Sequence, residues 1–86
     1  MVTVAVSVEQ RIDEASDGLI GLMAGLMATR QQFGQHGDRA VNLFLDSVPE
    51  RGEALWKKFT TARDAGEATD FVQFVAKIIT PKLMGK

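Results

Sequence analysis

The sequence contains no cysteine, no tyrosine, one tryptophan and one histidine among its 86 residues. Without cysteine, neither disulfide bonds nor thiolate metal sites can form. Ten basic and eleven acidic side chains give a formal charge of −1, so no excess of positive charge would attract nucleic acid. Few aromatic side chains are present on which single-stranded bases could stack. The composition therefore disfavours disulfide-stapled, thiolate-metal and nucleic-acid-binding proteins.

Long hydrophobic runs are also absent. The longest uncharged apolar run, Gly18–Ala28, would extend about 16 Å as a helix, which is about half of what a membrane crossing needs. The alternating segment Val2–Val8 has no preceding lysine or arginine, whereas a secretory signal begins with basic residues and a longer apolar core. We therefore expect a cytoplasmic protein that folds as a single helical domain over residues 1–86.

The polar residues do not form a recognisable catalytic or metal-binding pattern. His36 lies between Gly34 and Gly37 in a predicted loop, and no nucleophile or orienting partner is identifiable beside it. The carboxylates of residues 13, 14 and 17 lack the Glu-x-x-His motifs that accompany metal sites in helical bundles. We therefore predict a protein that is not an enzyme, with no catalytic residues, no metal site and no cofactor.

The spacing of apolar residues predicts an all-α fold, a small helical bundle of about four helices. Ser7 and Gln10 form a capping box, which predicts that the first helix begins near residue 8 and continues to about 33. Asp38 is the expected N-cap of a second helix that ends near residue 48. A capping box over Ser47–Glu50 predicts a third helix, with Pro49 in its first turn. The fourth helix is expected to begin near 67–69 and to end at Thr80–Pro81.

The two ends of the chain are predicted to lie outside these helices. Val2, Val4, Val6 and Val8 alternate with small or polar residues, a pattern of period two that favours a strand. The prediction is an extended or disordered arm over residues 1–7; the alternative is a strand that pairs with the same segment of another copy. Residues 82–86 are predicted to form a short basic tail.

The segment Gly18–Ala28, GLIGLMAGLMA, is the most distinctive feature of the sequence. On a helix, glycines fall on one stripe and bulky side chains cover the opposite side. A helix that is apolar all round must be covered all round, and a short chain has little material for this. We therefore expect the first and last helices to provide the self-association or partner-binding surface. On the first helix the candidate residues are Gly18, Leu19, Gly21, Leu22, Met23, Gly25, Leu26 and Met27. On the last helix they are Phe71, Phe74, Val75, Ile78 and Ile79.

These observations predict a non-catalytic helical module that associates with itself or binds another protein. The first alternative is a protein that binds a lipid or hydrophobic-granule surface by laying its apolar helices on it. A small DNA-binding regulator is the third possibility, because residues 38–48 and 49–63 could form a helix-turn-helix. That third possibility is disfavoured because the start of its second helix carries two acidic residues and one basic residue.

Overall fold

The computed structural model describes residues 7–84. Its first helix, α1, spans Val8–Ser16 and begins as predicted, because the Ser7 hydroxyl accepts a hydrogen bond of 3.1 Å from the backbone N–H of Gln10. The extended arm was predicted over residues 1–7, with pairing to another copy as the alternative; apart from Ser7, which caps α1, it lies outside the described residues.

The predicted continuous helix over 8–33 is wrong, because a second helix, α2, spans Ile20–Gln32. Between the two helices, Asp17 and Gly18 have φ angles of 50° and 80°. Glycine adopts this left-handed conformation freely, and aspartate adopts it more readily than most residues. The resulting turn ends α1 and allows α2 to fold back beside it.

The reversal of chain direction at this turn explains why two short helices are more favourable than one long helix. An unbroken helix over 8–33 would be about 39 Å long, and a chain of this size could not cover it on all sides. With the turn in place, Ile12 of α1 and Leu22 and Leu26 of α2 are all buried in one core. The start of α1 also meets the end of α2, where Glu9 forms an ion pair with Arg30 at 2.9 Å.

Three further α-helices complete the described part of the chain. A short 3-10 turn at Gly34–His36 leads into α3 (Gly37–Ser47), which is followed by α4 (Glu53–Asp64) and α5 (Phe71–Leu83). The all-α prediction is confirmed, since residues 7–84 contain helices and no strand. The number of helices differs, because these residues form five helices and about four were predicted.

The predicted start of the third helix is wrong. Ser47 is the last residue of α3, and its hydroxyl donates a hydrogen bond of 2.7 Å to the carbonyl of Leu43 within that helix. The hydroxyl is therefore already engaged and caps no following helix. Pro49 lies in the connection, and α4 begins only at Glu53, after Gly52.

The predicted end of the last helix is also wrong. α5 begins at Phe71, where the Asp70 side chain caps it by accepting a hydrogen bond of 2.7 Å from the Gln73 N–H. It then continues through Pro81 to Leu83, so that the first part of the predicted basic tail is helical. Pro81 is exposed, so water can solvate the carbonyl that a proline leaves without a partner.

The core is built around aromatic side chains from α3, α4 and α5. The Phe44 ring is fully buried and meets the rings of Phe71 and Phe74 edge-on, at centroid distances of 5.9 and 6.0 Å. Phe59 from α4 adds a further edge-on contact with Phe71 at 5.3 Å. These edge-to-face arrangements are favoured by the ring quadrupoles. The aromatic cluster therefore joins α3, α4 and α5 to one another.

Candidate functional site

Most of the large side chains in the predicted association surface lie inside the chain's own core. Each of them is no more than 7% exposed, so none is available to a partner while the fold is closed. Their burial contributes to the hydrophobic stabilisation of the fold, at about 1.5–3 kcal/mol for each large side chain. These buried residues are Leu22, Leu26, Phe71, Phe74, Val75 and Ile79.

The helical glycines of the predicted surface face neighbouring helices of the same chain. A Cβ atom on Gly25 would lie 2.9 Å from the ring of Phe71, and one on Gly21 would lie 3.2 Å from the Trp56 ring. Gly18 lies in the turn before α2, with no atom within 4 Å of a Cβ placed there. The close approach that the glycines permit is thus made between α2 and the aromatic residues of α4 and α5.

The opposite side of α2 remains uncovered. Ile20 is 81% exposed and Met27 is 48% exposed, and both are among the few large hydrophobic side chains left in water. Two exposed alanines and the half-buried Met23 lie beside them. We call this surface the α2 outer face; it comprises Ile20, Met23, Ala24, Met27 and Ala28.

Helical geometry explains why these residues share one face. At about 100° per residue, positions 20, 24 and 27 fall within about 60° of one another, and the buried Leu22, Leu26 and Thr29 lie on the opposite side. The sequence prediction included Met23 and Met27 but not Ile20, Ala24 or Ala28. The signal that could have found them is their position opposite Leu22 and Leu26 on the helix.

Charged residues occur only at the end of this face. The Arg30 guanidinium bonds the Glu9 carboxylate at 2.9 Å and the Asp38 carboxylate at 2.6 Å. The hydrogen bond from Arg30 lowers the pKa of Glu9, and the bonds to Glu9 and Asp38 raise the pKa of Arg30. This network holds α1, α2 and α3 together and leaves the outer face itself uncharged.

A groove lies between α4 and α5. Its volume is about 560 Å³, and its walls include Ala54, Ala62 and Ile78. Ile78 is the half-buried member of the predicted last-helix surface. At the edge of the groove, a hydrogen bond from Lys58 lowers the pKa of Glu50. Acidic and basic residues lie among the apolar residues that line this groove, so a partner bound there would meet charged groups as well as apolar side chains.

The described residues do not assemble a recognisable catalytic centre. His36 is exposed, and its side chain lies 3.4 Å from that of Gln35, which supplies neither a nucleophile nor an orienting carboxylate. Within residues 7–84, no three histidine, aspartate or glutamate side chains are grouped so that they could hold a metal ion. Nor does any helix in this part of the chain combine the length and the apolar character needed to cross a membrane.

The comparisons with known proteins add no relationship to this geometry, because no family model, curated protein or solved structure matches the chain.

Proposed function

We propose that this protein is a non-catalytic helical module that associates with a second copy of itself through the α2 outer face. The observation that carries the proposal is the exposure of Ile20 and Met27 on one uncharged stripe of a helix. Burying a large apolar side chain of this kind contributes about 1.5–3 kcal/mol. An apolar patch that remains in water favours association or aggregation.

The shape of the face suits contact with another helix. Ala24 lies about one turn after Ile20 and just under one turn before Met27, so a small side chain separates the two larger ones on this face. Small side chains allow two helix backbones to approach closely, and the larger ones can then fill the spaces beside them. A face of this kind can pair with an identical face across a two-fold axis.

The absence of charge favours a second copy over a different protein partner. No charged side chain occurs between Gly18 and Thr29, so the face offers no charge pattern that would select an oppositely charged partner. Arg30, the nearest cation, is already bonded to Glu9 and Asp38. Identical uncharged faces can meet without electrostatic repulsion.

Lipid-surface binding is the second candidate, and the exposure of Ile20 supports it. Helices that lie on membranes usually combine an apolar face with several lysine or arginine residues beside it. Arg30 is the one basic residue of α2. This composition makes the α2 outer face a poorer match to an anionic lipid surface than to another copy of itself.

The proposal is tested by placing a charge on the α2 outer face. We expect Met27→Glu to weaken self-association about tenfold or more, because a carboxylate would have to be desolvated at the contact. The free energy of unfolding should change little, since Met27 is 48% exposed. Sedimentation velocity over a range of protein concentrations measures the association.

Ala54→Glu is the matched control, because Ala54 is an exposed helical residue in the groove between α4 and α5. It should leave the association unchanged. Dissociation by Ala54→Glu but not by Met27→Glu would contradict the proposal and assign the contact to the groove. A wild-type chain that stays monomeric and floats with lipid vesicles would instead support the lipid alternative.

A further inference from the structure

The sulfur atoms of this chain all belong to methionines, because the sequence has four methionines and no cysteine. Within residues 7–84, two methionine side chains are exposed: Met27 by 48% and Met84 by 73%. Met23 is half-buried against the core. Oxidation of a thioether requires that the oxidant reach the sulfur from water. The described chain therefore offers two accessible thioethers, one on α2 and one immediately after α5.

Met27 lies on the α2 outer face and also lines a groove that shares residues with it. The groove has a volume of about 590 Å³, and its wall includes Ala24, Ala28 and Gln31. Gln31 is exposed and follows Met27 by four residues. Residues four apart are neighbours on a helix surface, so the Gln31 amide can donate a hydrogen bond to an oxygen on the Met27 sulfur. The groove thus admits an oxidant and accommodates the oxidised side chain.

We propose that Met27 is a modification site at which oxidation by a hydroperoxide releases the contact between two copies. The inference rests on the proposed function, because it requires the α2 outer face to be the contact. The Met27 Sδ attacks one oxygen of the peroxide, so that the O–O bond breaks and an S–O bond forms. With hydrogen peroxide, the proton on the transferred oxygen passes to the departing one, and the products are methionine sulfoxide and water. Methionine sulfoxide reductases restore the thioether.

The sulfoxide is tolerated by a single chain and disfavoured between two chains. In a single chain, water and the Gln31 amide can bond its oxygen. At the contact, the polar S–O group would lose water and meet the apolar side chains of Ile20 and Met23 without a matching donor. Oxidation therefore shifts the equilibrium towards single chains. Association in turn covers Met27 and slows its oxidation.

The effect on association is tested with hydrogen peroxide and two matched variants. We expect oxidation of the wild-type chain to raise the dissociation constant for self-association about tenfold or more, measured by sedimentation velocity. Met27→Leu keeps an apolar side chain of similar volume, so it should associate like the wild type and should keep its association after oxidation. Met84→Leu removes the other exposed methionine and should remain as sensitive to oxidation as the wild type.

Met27→Gln tests the same effect without an oxidant. Its side chain is polar and uncharged, as the sulfoxide is, and we expect it to raise the dissociation constant about tenfold as well. Mass spectrometry of peptides identifies which methionines are oxidised in each sample. Circular dichroism verifies that the helical fold is retained in the oxidised chain and in the three variants.

Protection of Met27 by association gives an independent test. The rate at which peroxide oxidises Met27 should fall as the protein concentration rises, because a growing fraction of the chains is paired. The rate for Met84, which lies outside the α2 outer face, should stay constant. Oxidation of Met27 that is as independent of concentration as that of Met84, in a protein that associates over the same range, would contradict the inference.

Three further results would count against the inference, and they differ in what they leave standing. A Met27→Leu variant that loses its association on oxidation as much as the wild type would assign the effect to another methionine. Association that survives complete oxidation of Met27 would overturn the inference and leave the proposed function standing. A chain that is monomeric at every concentration, before and after oxidation, would overturn the proposed function and the inference together.

Discussion

At the scale of single residues, two glycines of α2 show how closely the helix is fitted to its neighbours. Gly25 faces Phe71, a side chain that is 6% exposed and surrounded by the rings of Phe44, Phe59 and Phe74. Gly21 faces Trp56, which is half-buried at the edge of the same cluster. A methyl group added at Gly25 would therefore meet a ring that is confined by its neighbours. A methyl group added at Gly21 would meet a less confined ring.

We expect Gly25→Ala to destabilise the fold by about 1–2 kcal/mol, because overpacking against a confined ring outweighs a helix-propensity gain of about 1 kcal/mol. Gly21→Ala should change the free energy of unfolding by less than about 0.5 kcal/mol, since the cost of shifting the edge of Trp56 offsets most of the helix-propensity gain. Urea unfolding followed by circular dichroism measures both variants. A Gly25→Ala variant more stable than the wild type would show that Phe71 is not confined as described.

The sequence alone identified these glycines as sites of close helix contact but did not identify the partner. The spacing of Gly21 and Gly25 predicts a smooth side of a helix whether the opposing surface belongs to the same chain or to another. Whether Trp56 and Phe71 reach that side depends on how α4 and α5 pack, which is a tertiary property. Conversely, the exposure of Ile20 follows from the burial of Leu22 and Leu26 on the opposite side of α2.

At the scale of helices, the break between α1 and α2 decides which side of α2 remains exposed. The apolar spacing of Ile12, Ala15, Leu19 and Leu22 is continuous across Asp17 and Gly18, so periodicity alone predicts one helix. The Asp-Gly pair is itself a turn signal. The structure shows that this local preference for a turn prevails over the continuous helical spacing of the apolar residues. Hydrophobic spacing thus identified the buried residues Ile12, Ala15 and Leu22 correctly while giving the wrong helix boundary.

The ion pairs of Arg30 connect three helices and should make the free energy of unfolding depend on pH. Arg30 holds the pKa of Glu9 below its ordinary value of 4.5. Because the pKa of Glu9 is lower in the folded chain than in the unfolded chain, this pair stabilises the fold above the ordinary pKa of glutamate. The contribution is lost as the pH falls through the lower, folded pKa.

Arg30→Gln should therefore lower the free energy of unfolding at about pH 7, with the difference from the wild type narrowing at about pH 3. The effect should be small and should diminish with added salt, because the pairs are partly exposed. Urea unfolding at the two pH values measures it. Arg51→Gln is the control, since Arg51 makes no ion pair within the described chain. An identical pH dependence in the two variants would count against a linking role for Arg30.

At the scale of the whole molecule, one chain covers most but not all of its apolar surface. The expectation that a short chain could not cover an apolar helix on every side agrees with the exposure of Ile20 and Met27. The sequence did not predict that one side of α2 would be covered by aromatic residues of α4 and α5. The surface available for association is consequently smaller than predicted: of the predicted last-helix residues, Ile78 alone is more than 7% exposed.

The average mass of the wild-type chain as a function of concentration, measured by sedimentation equilibrium, is the most direct test of self-association. The single chain has a mass of 9.4 kDa. We predict that the average mass rises with concentration towards a whole-number multiple of this value, in plain buffer and without lipid. A mass that stays at that of one chain from micromolar to millimolar concentration would contradict the proposed function.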